Sequence, residues 1–161
     1  MTVHTKTTTK PQGELLWFRN SLVKINLSFT EGVDQVSVIE NWLPFADSPP
    51  LHVHHRQDEI FHVLEGTMRF RVDERDVIVH AGSSILAPKG IPHTFRVESA
   101  TGVRCLVTTV GPDFETMVRE MSTSAPSPTL PAHSDPTPEM IRALVEACTR
   151  NNIAILGAPL A

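Results

Sequence analysis

The sequence predicts an all-β domain, a sandwich or barrel built from many short strands. Apolar and polar residues alternate with the two-residue period of half-buried strands, as in Val23 to Leu27 and Met68 to Val72. Turns containing glycine or proline separate these runs at short, regular intervals, which is typical of sandwiches and barrels. The predicted strands cover residues 14–19, 22–29, 36–41, 52–54, 59–64, 67–72, 76–79, 84–87, 93–97 and 103–110.

The chain changes character after Gly111 and Pro112. Residues 113–121 predict a short helix, and residues 122–138 form a Ser/Thr/Pro-rich linker without a core of its own. A second helix should begin at Thr137 as N-cap, with Pro138 in its first position. Its apolar stripe needs a surface to cover it and comprises Met140, Ile141, Leu144, Val145 and Cys148. We therefore expect a flexible N-terminal arm (1–13), a barrel (14–112), and an extension (113–161) whose C-terminal helix packs on the barrel or on a partner subunit.

The composition argues against several classes of partner and environment. Fourteen basic and eighteen acidic residues give a net charge of −4 with no basic run, so we expect no nucleic acid partner. No stretch approaches the ~20 apolar residues that cross a bilayer, and residues 1–12 lack the apolar core of a signal peptide. Two cysteines do not make a disulfide framework. The prediction is a cytoplasmic protein that does not enter membranes.

Two motifs carry the chemistry of the chain. The first has the pattern H-x-H-x(4)-E-x(6)-G and contains His52, His54, Glu59 and Gly66. Side chains alternate along a strand, so the two imidazoles should point the same way. A hairpin through residues 55–58 should then bring Glu59 opposite them.

The second motif supplies a third imidazole. It has the pattern G-x(5)-P-x-G-x(2)-H, contains Gly82, Pro88 and Gly90, and ends at His93. A strand that opens at His93 can lie beside the first motif. Three imidazoles and one carboxylate suit a divalent transition metal, and we expect one Fe, Mn, Ni, Co or Zn ion per chain. The predicted ligands are His52, His54, Glu59 and His93.

These two motifs are those of cupins, and the chain resembles a small single-domain cupin. The resemblance implies a double-stranded β-helix, the cupin jelly-roll barrel, with a C-terminal helical extension. Two positions depart from the family pattern: Ala46 stands where a glycine is common, and Val97 where an asparagine is common. Neither is a ligand, so the departures leave metal binding intact and weaken only a claim about a specific substrate.

The resemblance extends more loosely to quercetinase-like metal-dependent dioxygenases. It implies that O₂ cleaves a flavonol or similar enol, with Glu59 as a metal ligand and also the catalytic base. In an apolar site the pKa of this carboxyl should be raised. Alternation from the ligands places Phe61 and Phe95 on the same face as the ligands of their strands. Hydrophobicity indicates that Met68 and Phe70, on the strand of residues 67–72, also face inward. These four residues are the expected lining of an apolar pocket. Such a pocket suits an apolar or aromatic small molecule.

Two other functions remain open at this point. The leading alternative is a non-catalytic cupin that binds or senses a small molecule, in which the metal only anchors the ligand. A further alternative is a metal-dependent isomerase or decarboxylase, although Phe61, Phe95 and Val97 predict too apolar a pocket for a sugar. Apolar residues on the outer face, such as Ile60 and Leu64, together with the helix stripe, favour a homodimer.

Overall fold

The computed structural model describes residues 13–161, so the predicted arm lies almost entirely outside the described residues. This part of the chain contains twelve strands and two helices. The strands are β1 Glu14–Phe18, β2 Ser21–Leu27, β3 Val36–Leu43, β4 Pro50–His54, β5 Glu59–Glu65, β6 Thr67–Val72, β7 Arg75–His80, β8 Ser84–Ala87, β9 His93–Val97, β10 Val103–Val110, β11 Ser122–Ser124 and β12 Ile153–Pro159. The helices are α1 Asp113–Met121 and α2 Pro138–Arg150.

The strands form two antiparallel sheets that face each other. The larger sheet has seven strands in the order β11-β1-β2-β3-β10-β5-β8, and the smaller has five in the order β12-β4-β9-β6-β7. Neighbours in a sheet are mostly distant along the chain, because the chain passes repeatedly from one sheet to the other. This is a jelly-roll sandwich with a small C-terminal helical extension, which confirms the predicted fold class.

Two groups of buried side chains make up the core. One fills the space between the sheets and includes Phe61, Met68, Phe70 and Val97. The other lies where α1 and α2 pack against the first strands, and includes Cys148. Burial of one face of each sheet explains the alternation in the sequence, since every second residue of these strands points into the core.

The segment after residue 112 contributes strands as well as helices. β11 pairs with β1, and β12 pairs with β4 in the register Ile153 to His54 and Ile155 to His52. The predicted division into a barrel of residues 14–112 and a helical extension needs this correction, because each sheet takes an edge strand from the extension. The strand that carries two of the predicted metal ligands is thereby paired on both sides.

Helix α2 begins as predicted. The Thr137 hydroxyl accepts a hydrogen bond from the Met140 amide at 3.3 Å, and Pro138 is the first helical residue. The apolar stripe is only partly covered: Cys148 is buried, whereas Met140 and Ile141 are 41% and 50% exposed. Packing on the sandwich therefore accounts for the C-terminal end of the stripe only. Neither described helix has the length and apolar character needed to span a membrane.

Candidate metal centre

The predicted ligands come together from both sheets. His52 and His54 lie on β4, and His93, the first residue of β9, is paired with His52 in the smaller sheet. Glu59 begins β5 in the larger sheet. The connection through residues 55–58 therefore crosses between sheets and does not close the hairpin that the sequence suggested. Glu59 faces the imidazoles across the sandwich, not from a neighbouring strand.

One ligand atom from each of the four side chains lies within 4.8 Å of the others. Nε2 of His93 is 3.0 Å from Oε2 of Glu59, and Nε2 of His54 is 3.4 Å from the same oxygen. The rings of His52 and His93 are 4.5 Å apart between centroids. His54, His93 and Glu59 are almost completely buried. This is a compact cluster of three nitrogens and one carboxylate in which the four groups converge on one point.

Backbone carbonyls orient two of the imidazoles. Nδ1 of His52 donates to the carbonyl oxygen of Pro50 at 2.7 Å, and Nδ1 of His93 donates to that of Ile91 at 3.1 Å. These bonds place the proton on Nδ1, so that in the neutral rings the lone pair of Nε2 is directed at the cluster. Nδ1 of His54 is buried and has no partner among the described residues.

The electrostatics of the cluster also favour metal ligation. Burial, reinforced by the neighbouring histidines, lowers the pKa of His52 to about 4, and burial lowers that of His54 as well. Burial also acts to lower the pKa of His93, but the hydrogen bond and charge of Glu59 outweigh it and raise the value. Neutral imidazoles at His52 and His54 offer the lone pairs that a metal ion needs.

Glu59 differs from the expectation in one respect. Burial acts to raise its pKa, as predicted, but the surrounding imidazoles outweigh burial and lower it to about 2. The predicted raised pKa was therefore wrong, because the three histidines around the carboxyl outweigh the apolar pocket. The carboxylate is ionised at neutral pH, which suits a metal ligand and makes it a weak base.

The donor set fits a divalent transition metal. Three imidazole nitrogens and a carboxylate oxygen match the ions of the first row, and the ligand types do not select one of them. Neither cysteine belongs to the cluster. Burial raises the pKa of the Cys105 thiol to about 12, so this residue is a protonated core side chain.

A cavity opens onto the cluster. It encloses about 770 Å³ of space free of atoms, part of it open to solvent, and its wall includes His52, His54 and Glu59. Phe61 and Phe95 also line it, with ring centroids 5.7 Å apart.

Met68 and Phe70 do not line this cavity, which corrects the prediction for these two residues. Both point inward as expected, but neither has accessible surface, and both belong to the core between the sheets. The Phe70 ring lies behind the two lining rings, 4.9 Å from Phe61 and 5.7 Å from Phe95 between centroids. Alternation predicts which face of a strand a side chain lies on. It does not predict whether an inward-facing side chain lines the cavity or is buried in the core beside it.

Sequence reasoning missed the side chains that attach α1 to the centre. The Gln57 side chain lies in the connection between His54 and Glu59; it donates to the carbonyl oxygen of Val110 at 2.9 Å and accepts from the amide of Phe114 at 2.8 Å. The Phe114 ring in turn lies 5.8 Å from that of His54. The polar residues between His54 and Glu59 predict a simple turn, and no local signal marks a glutamine that bonds to residues more than fifty positions away.

Comparisons with known proteins agree with this geometry. Residues 39–109 match the family model described as Cupin domain, and the match contains all four residues of the cluster. No curated protein matches the sequence. Among solved structures, a predicted oxalate decarboxylase from Thermotoga maritima superposes with a TM-score of 0.55 at 21% identity, over 62% of this chain and 91% of that one.

Two further structures share the fold. The polyketide cyclase RemF from Streptomyces resistomycificus gives a TM-score of 0.50 at 24% identity, over 62% of this chain and 68% of that one. A sugar phosphate isomerase from a cupin superfamily, from Silicibacter pomeroyi, gives 0.51 at 22% identity, over 58% and 61%. These three names cover three different reactions, so the likeness shows the fold alone.

Proposed function

We propose, on the premise that residues 39–109 form a cupin domain with a metal-binding cluster, that this protein is a dioxygenase that cleaves an aromatic or enol-type substrate. The observation that carries the proposal is the position of the cluster. His52, His54 and Glu59 of the cluster lie at the wall of a mostly apolar cavity that Phe61 and Phe95 also line, and His93 completes the cluster behind them. An aromatic enol can place its oxygens at the cluster and its rings against these side chains.

The residues of the chain have distinct roles in this proposal. A divalent first-row metal, when bound, would supply a Lewis acid that favours the ionised form of the enol. Ionised Glu59 accepts the proton of the substrate hydroxyl, whose acidity a bound metal would increase. The carbonyl bonds to His52 and His93 keep both rings in place. The two phenylalanines hold the substrate and exclude water from it.

The overall reaction needs no other reactant. The substrate supplies the electrons that reduce O₂, one of its carbon–carbon bonds breaks, and both oxygen atoms enter the products. O₂ is apolar and diffuses into an apolar cavity without the cost of desolvating a charge.

The test is oxygen uptake by protein loaded separately with Fe(II), Mn(II), Ni(II) and Co(II), offered a panel of flavonols and other enols. We expect uptake that depends on both metal and substrate. Glu59→Gln should lower the rate by about 10²–10⁴-fold, the usual contribution of a general base, while the three histidines retain most of the metal. The matched control is Glu65→Gln, which removes an exposed carboxylate from the same strand. Full activity in Glu59→Gln would contradict the assigned role of Glu59.

The same experiment tests the alternatives. A binding or sensing protein consumes no oxygen with any combination of metal and substrate, yet it binds its ligand. Its Glu59→Gln variant retains the affinity for that ligand. An isomerase or decarboxylase converts its substrate without consuming oxygen. Either result with confirmed metal content would replace the dioxygenase proposal.

A further inference from the structure

The cavity has a second polar region away from the metal cluster. Most of its wall is apolar, but four of its polar side chains are not metal ligands, and we call them the distal polar cluster: Arg19, Ser21, Asn41 and Asp47. Arg19 lies in the turn between β1 and β2, and Asp47 in the loop between β3 and β4. None of the four occupies a defined position of either cupin motif.

The register of the larger sheet gives the separation of the two polar regions. Glu59 is paired with Thr109 on β10, and Asn41 is paired with Cys105 on the same strand. Cys105 and Thr109 are four residues apart, which corresponds to about 13 Å along the strand.

The smaller sheet gives the same separation independently. Val97, at the end of β9, donates its amide hydrogen to the carbonyl oxygen of Asp47 at 3.0 Å. The ligand His93 is four residues earlier on β9, again about 13 Å along the strand. Both walls of the cavity therefore place the distal polar cluster about 13 Å from the metal ligands along the strand direction.

The distal polar cluster has hydrogen-bonding capacity that residues 13–161 leave unused. Arg19 makes no ion pair or hydrogen bond with any of them, although its charge is near enough to act on Asp47. The Asn41 amide donates to the carbonyl oxygen of Ile39 at 3.1 Å, and among the same residues its oxygen has no donor. Buried or half-buried polar groups in an apolar wall are costly unless a partner satisfies them, so these groups favour a ligand with matching polar atoms.

We infer that Arg19, Asn41 and Asp47 bind hydroxyl groups at the far end of an elongated aromatic substrate whose enol oxygens reach the metal cluster. The inference rests on the proposed function and specifies its substrate class. The side chains of both polar regions extend into the cavity from these strand positions, so an aromatic molecule of two or three rings can approach both, whereas a two-carbon acid cannot. Between them, Leu43, Phe61, Phe95 and Val107 provide an apolar wall for the rings.

The test compares two probes that differ only at the outer rings. Flavonol carries no hydroxyl groups there, whereas quercetin carries them on both outer rings. The dissociation constant of each is measured by absorbance titration of Co(II)-loaded protein, and the visible Co(II) spectrum reports on the metal cluster. We expect tighter binding of quercetin. Arg19→Ala should weaken quercetin binding about tenfold, the value of one charge-assisted hydrogen bond, and change flavonol binding less than twofold.

Arg75→Ala is the matched control, because it removes an exposed arginine from the start of β7 in the smaller sheet and should leave both constants unchanged. Asp47→Asn provides a second variant that preserves shape, and it should weaken only the binding of quercetin. Equal affinity for the two probes, or equal losses in the Arg19 variant, would overturn the inference and leave the dioxygenase proposal standing. If neither probe bound to metal-loaded protein, the inference would fail, and oxygen uptake with the other enols of the panel would decide the dioxygenase proposal.

Discussion

Replacement of Glu115 by alanine should destabilise the fold strongly, because this carboxylate attaches helix α1 to the larger sheet. Glu115 has no accessible surface. Its oxygens accept hydrogen bonds from the Ser28 hydroxyl at 2.7 Å, the Phe29 amide at 3.0 Å, the Ser37 hydroxyl at 2.5 Å and the Arg119 guanidinium at 2.9 Å. One side chain thus satisfies donors from the segment after β2, from β3 and from its own helix.

The magnitude follows from the donors that lose their partner. Arg119 also pairs with Glu14, and the Ser28 hydroxyl also contacts that of Thr30 at 3.0 Å, so both keep a second interaction. The Phe29 amide and the Ser37 hydroxyl have no such replacement. Two donors left unsatisfied at about 1–2 kcal/mol each give a loss of about 3 kcal/mol in the free energy of unfolding. For a chain of this length the melting temperature should fall by about 6–12 °C.

Thermal and urea unfolding followed by circular dichroism measure this effect. Glu120→Ala is the matched control on the same helix, and loss of its surface pair with Arg150 should cost less than about 1 kcal/mol. A loss below about 1 kcal/mol in Glu115→Ala would refute the reasoning, since water or a rearranged helix would then satisfy the donors.

The pH dependence provides a second check on Glu115. Burial acts to raise its pKa, but the hydrogen bonds outweigh burial and lower it below the ordinary value of 4.5. The stabilisation is therefore fully present above pH 4.5 and is lost as the pH falls through the lower folded-state value. The difference between wild type and Glu115→Ala should be constant from about pH 6 to 8 and should shrink in acid.

Three further predictions concern other parts of the chain. Ala46 has a φ of 63°, a left-handed conformation that strains alanine but not glycine, so Ala46→Gly should stabilise the fold by about 0.5–1 kcal/mol in urea unfolding. The control is Ala143→Gly on the exposed face of α2, which should destabilise the fold by about 1 kcal/mol. We expect a homodimer in light scattering, and Ile60→Asp, at an exposed position of the larger sheet, should give the mass of one 17.8 kDa chain; a monomeric wild type would contradict this. Burial raises the pKa of the Cys105 thiol to about 12 and that of the Cys148 thiol to about 11. Neither thiol should therefore react with a thiol reagent at pH 8 until the protein unfolds. Rapid labelling of the native protein would contradict the burial of these two side chains.

Local patterns were sufficient to predict most strands and the four residues of the cluster. A strand has a period of two whatever its partner, so the spacing of His52 and His54 already gives their common face. The position of Glu59 in the opposite sheet could not be predicted in the same way. Residues 55–58 fit a tight turn in either arrangement, and only the pairing of β5 with β10 decides between them.

The features that were missed depend on contacts between distant parts of the chain. β12 contains Gly157 and Pro159, which weaken a strand prediction, and its pairing with β4 is irregular after Ile155. Glu115 resembles any polar residue of an amphipathic helix, because its partners outside α1 are 78 to 87 positions away. Such residues become recognisable only when the packing is known.

The pairing of β12 with β4 also has a consequence for biosynthesis. Ile153 is translated 99 residues after His54, its partner in the sheet. At ordinary elongation rates of about 5–20 residues per second, β4 therefore has no β12 to pair with for roughly 5–20 seconds after it is synthesised. During that interval the nascent chain presents an open strand edge next to the future ligands, a template for pairing with other chains. Dependence on chaperones during synthesis should thus be governed by the arrival of this one strand.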